Sequence, residues 1–236
     1  MSDLISKRYI ESDYLEENPD WDIQDSPWKV NKVITMLKKH TVEPNVACEV
    51  GCGAGACLAE LRKHLGDTKL YGYDIAPDAL KFWSDYEDAN IHFELGDFLS
   101  MDTPYFDLML MLDVLEHVAD PHNFLCQVRE RADRFIFHFP LDLSASSVLR
   151  ETPLLHVRRK VGHIHYFTKG LALELLDECG FEVVDYQYTG AAFNAPQATL
   201  KTRLVSLPRR LIYALNKDIG VRLLGGETLM VLAKPR

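Results

Sequence analysis

Residues 47–65, ACEVGCGAGACLAELRKHL, decide how this chain is read. Gly51, Gly53 and Gly55 stand at every second position between a short apolar run and a segment with helical apolar spacing. A glycine there takes positive φ and lets another backbone or a ligand approach closely, at a folding cost of up to about 1 kcal/mol each. Flexibility placed where packing should be best implies that something binds at this turn.

The bulk properties set the frame. With 236 residues, 47% of them hydrophobic, the chain fits one large domain or one domain with an appendage. Strand-like and helix-like patterns alternate, which points to an α/β class. No apolar run approaches the roughly 18 residues of a membrane span, and MSDLISKRYIESDYLEENPD lacks the apolar centre of a signal peptide. A cytoplasmic protein without stable membrane insertion is expected. Of the five cysteines, Cys48, Cys52 and Cys57 flank the glycines without the paired spacing of a zinc site, so they read as reduced, buried residues. A formal charge of −9 argues against nucleic acid as a partner. Residues 196–236 nevertheless hold eight Lys/Arg against Asp218 and Glu227. That stretch is either a solvated helix face or a basic wall near an anionic substrate or a membrane surface.

Outward from the glycines, QDSPWKVNKVITMLKKH reads as a helix with Ser26 as N-cap and Pro27 in its first turn. NVACEV and TKLYGYDI are the first two strands, and PDALKFWSDY is a helix. NIHFELGDF turns Ile91, Phe93 and Leu95 inward. FDLMLMLD, apolar on both faces, suits a central parallel strand. PHNFLCQVRERA is helical, and DRFIFHFP is a fifth strand. Regularity then lapses until Thr168, an N-cap for a helix closed by Gly180. FEVVDYQYT and ETLMVLA are the last strands, with a basic, helical insertion at about 198–216 between them. Seven strands with interleaved helices make one doubly wound domain, and residues 1–40 form an N-terminal helical extension.

A glycine turn between strand and helix offers free N–H groups and the positive helix end. GCGAGA even satisfies the dinucleotide pattern G-x-G-x-x-G/A. Two residues point away from NAD. Glu49 precedes the glycines by two positions, where its carboxylate suits an ammonium rather than a pyrophosphate, and Asp97 follows Gly96 at the end of the third strand. With these residues, the segment from about Asn45 to Thr189 resembles the class I S-adenosylmethionine-dependent methyltransferases, in particular the small-molecule branch that includes ubiquinone-biosynthesis-type enzymes. EVGCGAG looks like the first motif, YGYDIAP the second and LGDF the third, while LDVLEHVADP is similar to the LEH string of that branch.

The resemblance implies a Rossmann-like, mostly parallel seven-stranded sheet with an antiparallel last strand and helices on both faces. It implies S-adenosyl-L-methionine as cofactor. Glu49, Gly51 and Gly53 would lie near its amino-acid end, and Asp74 would hold the ribose hydroxyls with Ile75 against the adenine. Asp97 and Phe98 would meet the adenine, and Leu112 and Asp113 would border the methionine part. Glu116 and His117 read either as fixing the loop into the next helix or as functional. On this reading residues 1–40 are an extension or lid and 41–236 the methyltransferase domain, with substrate-side segments at about 141–167 and 190–226.

Methyl transfer is an in-line displacement, so the protein supplies alignment, desolvation and often a base. His163 and His165 in GHIHYFT are the catalytic candidates, as base or substrate clamp, against the alternative of loop packing; His138 is a further candidate. The pair shares one side of an extended segment, but no third ligand stands at suitable spacing, so no metal is expected. Arg150, Arg158, Arg159 and Lys160 suggest a small acceptor bearing phosphate or carboxylate. Tyr9, Tyr14, Trp21 and Trp28 belong either to a lid or to a helix packed on the sheet. The expected activity is O-methylation of a small acidic acceptor by a monomer or homodimer. The alternatives are an NAD(P)-dependent oxidoreductase or epimerase, which Glu49, Asp97 and the DVLEH segment disfavour, and a catalytically silent cofactor-binding partner subunit.

Overall fold

A computed structural model describes residues 3–11, 15, 17–21, 23–191 and 212–236, with side chains from residue 7 onward. Seven strands form one sheet: β1 (Val46–Val50), β2 (Lys69–Asp74), β3 (Ile91–Leu95), β4 (Phe106–Leu112), β5 (Ala132–Leu141), β6 (Phe181–Tyr188) and β7 (Glu227–Pro235). Their spatial order is β3-β2-β1-β4-β5-β7-β6. Neighbours from β3 to β5 pair in parallel, and β7 runs antiparallel between β5 and β6. The order reverses at β1/β4, which is where open α/β sheets bind their ligands.

Each face of the sheet is covered by helices whose apolar residues recur at helical spacing. On one face α2 (Ser26–Lys39) buries Val30, Val33, Ile34 and Leu37. Together with Leu58 and Leu61 of α3 (Ala56–Arg62) they cover Leu70, Leu108, Leu110 and Ile136. On the other face α5 (Pro121–Val128) and α8 (Lys169–Glu178) lay Leu125, Val128, Ala172 and Leu176 over Phe135, Phe137 and Phe181. Each buried Val, Leu, Ile or Phe among these contributes about 1.5–3 kcal/mol. Thr168 caps α8 by accepting from Leu171 N, and Gly180 follows at φ 80, as its sequence implies.

Four expectations need adjustment. Helix α2 starts at Ser26 itself, directly after a 3-10 turn over Ile23–Asp25, so Ser26 is its first residue rather than its cap. In β3 only Ile91 is fully buried, because β3 is the sheet edge and Leu95 lies at its open end. The segment PDALKFWSDY gives a 3-10 turn (Pro77–Ala79) and the single turn α4 (Leu80–Trp83). The stretch 141–167 is not irregular. It holds α6 (Ala145–Arg150), opened by a reciprocal Ser144–Ser147 capping box, and α7 (Thr152–Lys160), with Pro153 in its first turn. Periodicity missed them because Val148 and Leu149 face solvent and α7 buries no residue.

The five cysteines are free thiols. Among the described residues no helix is long and apolar enough to cross a membrane. Tyr14 and most of the basic insertion lie outside the described residues; α1 (Asp3–Ile10) and α9 (Lys217–Leu224) lie within them.

Candidate active site

The glycine turn is tied to the end of β2. Gly51 N and Cys52 N both donate to Tyr73 O, at 2.8 and 3.1 Å. Gly51 sits at φ 75, and a Cβ there would lie 2.7 Å from Val114 Cγ2. Positive φ and close approach thus both demand glycine. Gly53 N donates to Asp74 Oδ2 at 2.7 Å, and Ala76 N donates to Asp74 Oδ1 at 2.8 Å. Burial raises the Asp74 pKa against the pull of these N–H groups. Each carboxylate oxygen keeps a lone-pair direction for a ligand hydroxyl.

Glu49, one residue before the end of β1, is 2% exposed, and its Oε2 has no hydrogen-bond partner among the described residues. Burial pushes its pKa up to about 8, with Asp74 and Asp113 adding to the rise and Lys29 opposing it. A buried, orphaned carboxyl oxygen beside a glycine cradle is complementary to a ligand ammonium group. Ile75 is 38% exposed at the end of β2, an apolar surface open to a flat ring. Asp97 is exposed and caps the following turn by accepting from Leu99 N. Phe98 is instead turned into the core, where its ring meets Tyr73 at 5.0 Å and the Arg131 guanidinium at 5.0 Å. Burying an aromatic ring there outweighs leaving it along the cleft.

Leu112 is buried at the end of β4, and Asp113 follows with φ 58. Its strained backbone aims the carboxylate at two partners: Lys29 Nζ at 2.8 Å and His138 Nδ1 at 2.7 Å. Burial alone would raise the Asp113 pKa, but His138 and Lys29 hold it well below the carboxylate range. Apolar spacing did not single out Lys29, which reaches Asp113 from α2 beside the predicted apolar stripe. His138 is buried, its Nε2 has no partner, and Trp28 stands edge-on to it at 6.1 Å.

A second cluster lies past the ends of β4 and β5. Glu116 is fully buried, and among the described residues neither carboxylate oxygen has a hydrogen-bond partner. Burial, with Asp113 and Asp142 nearby, lifts its pKa well above the usual range. Its backbone carbonyl does fix the later loop, accepting from Ile164 N and His165 N. The side chain plays no part in that. His117 Nδ1 contacts Tyr9 Oη at 2.7 Å and Gly162 O at 3.2 Å, and burial together with His163 lowers its pKa to about 4. His163 Nδ1 meets Asp142 Oδ2 at 2.6 Å, and the two imidazole rings are 5.0 Å apart.

His165 is drawn away from its neighbour. Its Nε2 donates to Val118 O at 2.9 Å, and it borders an outer groove with Pro121 and Leu171. The LEH string supplies two residues that local spacing could not: Glu116 and His117 join His163, without His165, and the three offer ligand atoms within 4.8 Å of one another. Spacing along the chain could not show it, because the fold joins two loops.

The N-terminal residues reach the same edge. The Trp21 indole stands 2.9 Å from where a Gly53 Cβ would be, and Arg8 Nη2 donates to Arg159 O at 2.7 Å. Arg150, Arg158, Arg159 and Lys160 are exposed on α6 and α7.

Residues 48–133 match a family model described as "Methyltransferase domain". Ajmaline N-methyltransferase of Rauvolfia serpentina is 30% identical over 133 residues, covering 51% of this chain and 45% of that protein. Ubiquinone biosynthesis O-methyltransferase of Coxiella burnetii is 29% identical over 101 residues, 41% of this chain and 40% of that protein. The matched region spans less than half the length of these relatives. The plantazolicin methyltransferase BpumL, solved with a monoazolic desmethylPZN analogue and SAH, superimposes with a TM-score of 0.65 at 16% identity, covering 99% of this chain and 94% of that one. Residues 48–133 thus match the methyltransferase-domain model, and the chain shares the Rossmann-like fold of these solved methyltransferases.

Proposed function

We propose that this methyltransferase-domain chain uses S-adenosylmethionine to methylate oxygen on a small, acidic acceptor. The observation that carries the reading is Glu49, a buried carboxyl with an unpartnered oxygen directly before the glycine turn. It suits the cofactor's ammonium group and opposes a pyrophosphate. Asp74, fixed by two backbone N–H groups, is placed to accept from ribose hydroxyls, Ile75 offers an apolar rest for the adenine, and Asp97 lies at the same edge. Leu112 and Asp113 border the methionine end. When bound, the cofactor supplies an electrophilic methyl group on a sulfonium.

The acceptor is placed beyond the ends of β4 and β5, at the Glu116–His117–His163 cluster. There its oxygen bonds the methyl carbon, the carbon–sulfur pair returns to sulfur, and the hydroxyl proton is released. His163, held by Asp142, serves as the clamp that orients that hydroxyl; His165, bound to a backbone carbonyl, serves the loop. The exposed cations of α6 and α7 support an acceptor bearing carboxylate or phosphate. An O- rather than N-acceptor is favoured because a hydroxyl needs help losing its proton and this cluster offers it. The N-terminal residues act as a lid, since Trp21 covers the glycine turn.

Turnover of methyl-labelled cofactor against a panel of hydroxylated carboxylic and phosphorylated acceptors tests this. His163→Ala should cut turnover by about 10²–10⁴ and leave affinity for S-adenosylhomocysteine unchanged. His165→Ala should retain turnover. Full turnover in a folded His163→Ala variant would remove the acceptor assignment.

A further inference from the structure

We propose that Glu116, His117 and His163 bind one divalent transition-metal cation, through which the acceptor oxygen is held. The proposal rests on the acceptor placement above. Three ligand atoms, two imidazole nitrogens and one carboxylate oxygen, converge within 4.8 Å of one another, and His117 Nε2 lies 3.9 Å from Glu116 Oε1. Metal–ligand bonds of about 2.0–2.2 Å close that gap with small side-chain shifts.

The surrounding hydrogen bonds set each ligand for the task. The Asp142 carboxylate only accepts, so His163 carries its proton on Nδ1 and keeps the Nε2 lone pair. The Gly162 carbonyl imposes the same tautomer on His117, with Tyr9 Oη sharing that N–H. Carboxylate and carbonyl partners on the far nitrogen are the usual orienting shell of metal-bound histidines. Glu116 supplies the anion: it is 0% exposed, and neither oxygen meets a donor. A side chain so buried and so unpartnered needs a cation or a proton.

Two imidazoles and one carboxylate suit Zn²⁺, Mn²⁺, Fe²⁺ or Co²⁺ better than Ca²⁺ or Mg²⁺. Three protein ligands leave open positions for an acceptor oxygen, whose proton a cation makes easier to lose. That proton passes to bulk water, the acceptor oxygen bonds the methyl carbon, and the carbon–sulfur pair returns to sulfur.

The probe is Co²⁺, titrated into the chelator-treated full chain by calorimetry and visible absorption. One equivalent should bind, with a spectrum lacking thiolate bands. Glu116→Gln and His163→Ala should each weaken binding at least tenfold, while His165→Ala should bind as the parent does. Affinity for S-adenosylhomocysteine, measured on every variant, shows that the fold persists. If a variant does not fold, paramagnetic shifts of the His117 and His163 ring protons in the unsubstituted protein decide the matter. Absence of stoichiometric Co²⁺ binding, thiolate bands, unshifted ring protons, or binding unchanged by both substitutions would overturn the site. Co²⁺ binding at these residues without S-adenosylhomocysteine binding would support the cation site and sink the functional reading.

Discussion

Glu49 and Asp74 are both acids at strand ends, yet their surroundings give them different work. Asp74 has a backbone N–H on each oxygen. Asp74→Ala should cost cofactor binding roughly 1–3 kcal/mol through lost charge-assisted hydrogen bonds, read by calorimetry on a folded variant. Glu49 holds its proton to about pH 8, whereas an unfolded chain releases it near 4.5. The folded state therefore binds more protons between those values, and this contribution to stability falls as pH rises from 4.5 through 8. Glu49→Gln should flatten that slope in melting curves taken across the range. An ammonium ligand favours the ionised carboxyl, so affinity for S-adenosylhomocysteine should rise with pH up to about 8, with proton release visible as buffer-dependent calorimetric heat. Affinity that is flat with pH would mean Glu49 does not meet the ammonium group. Glu49 and Asp74 were legible in the sequence because strand ends and glycine spacing locate them. Lys29 and the partnering of Asp113 with His138 were not, because tertiary contact alone brings them together.

At the scale of elements, strands and helices with regular apolar spacing were readable, and the two short helices α6 and α7 were not. Their stability comes from a capping box and a proline start rather than from a buried stripe. Crowding between elements is also invisible in a linear pattern. Gly72 lies mid-strand in β2, where a Cβ would come within 2.5 Å of Phe93 Cδ1 and 2.8 Å of Leu58 Cδ1. Gly72→Ala should cost about 1–3 kcal/mol by overpacking and lower the Tm. Gly170, in the first turn of α8, has only Thr168 Oγ1 at 3.9 Å from its would-be Cβ. Gly170→Ala should therefore stabilise by about 0.4–1 kcal/mol. Equal effects in the two melting curves would contradict this account of β2 packing.

At the scale of the whole molecule, the sheet order and the antiparallel β7 agree with the resemblance carried by the glycine and strand-end motifs. A fold of this kind hosts many reactions, so function rests on the site. Residues from the N-terminal segment touch that site at three points: Tyr9 at His117, Trp21 over Gly53 and Lys29 at Asp113. On the proposed lid reading, this segment should slow cofactor exchange. Trp21→Ala should speed dissociation of S-adenosylhomocysteine in stopped-flow experiments while circular dichroism stays unchanged. The central claim is that the strand-end acids select a sulfonium cofactor over a dinucleotide. Isothermal calorimetry on the full chain with S-adenosylmethionine, S-adenosylhomocysteine and NAD tests it most directly. Saturable binding of the first two at one per chain, with no heat from NAD, is the expected result; saturable NAD binding without binding of either sulfur compound would contradict it.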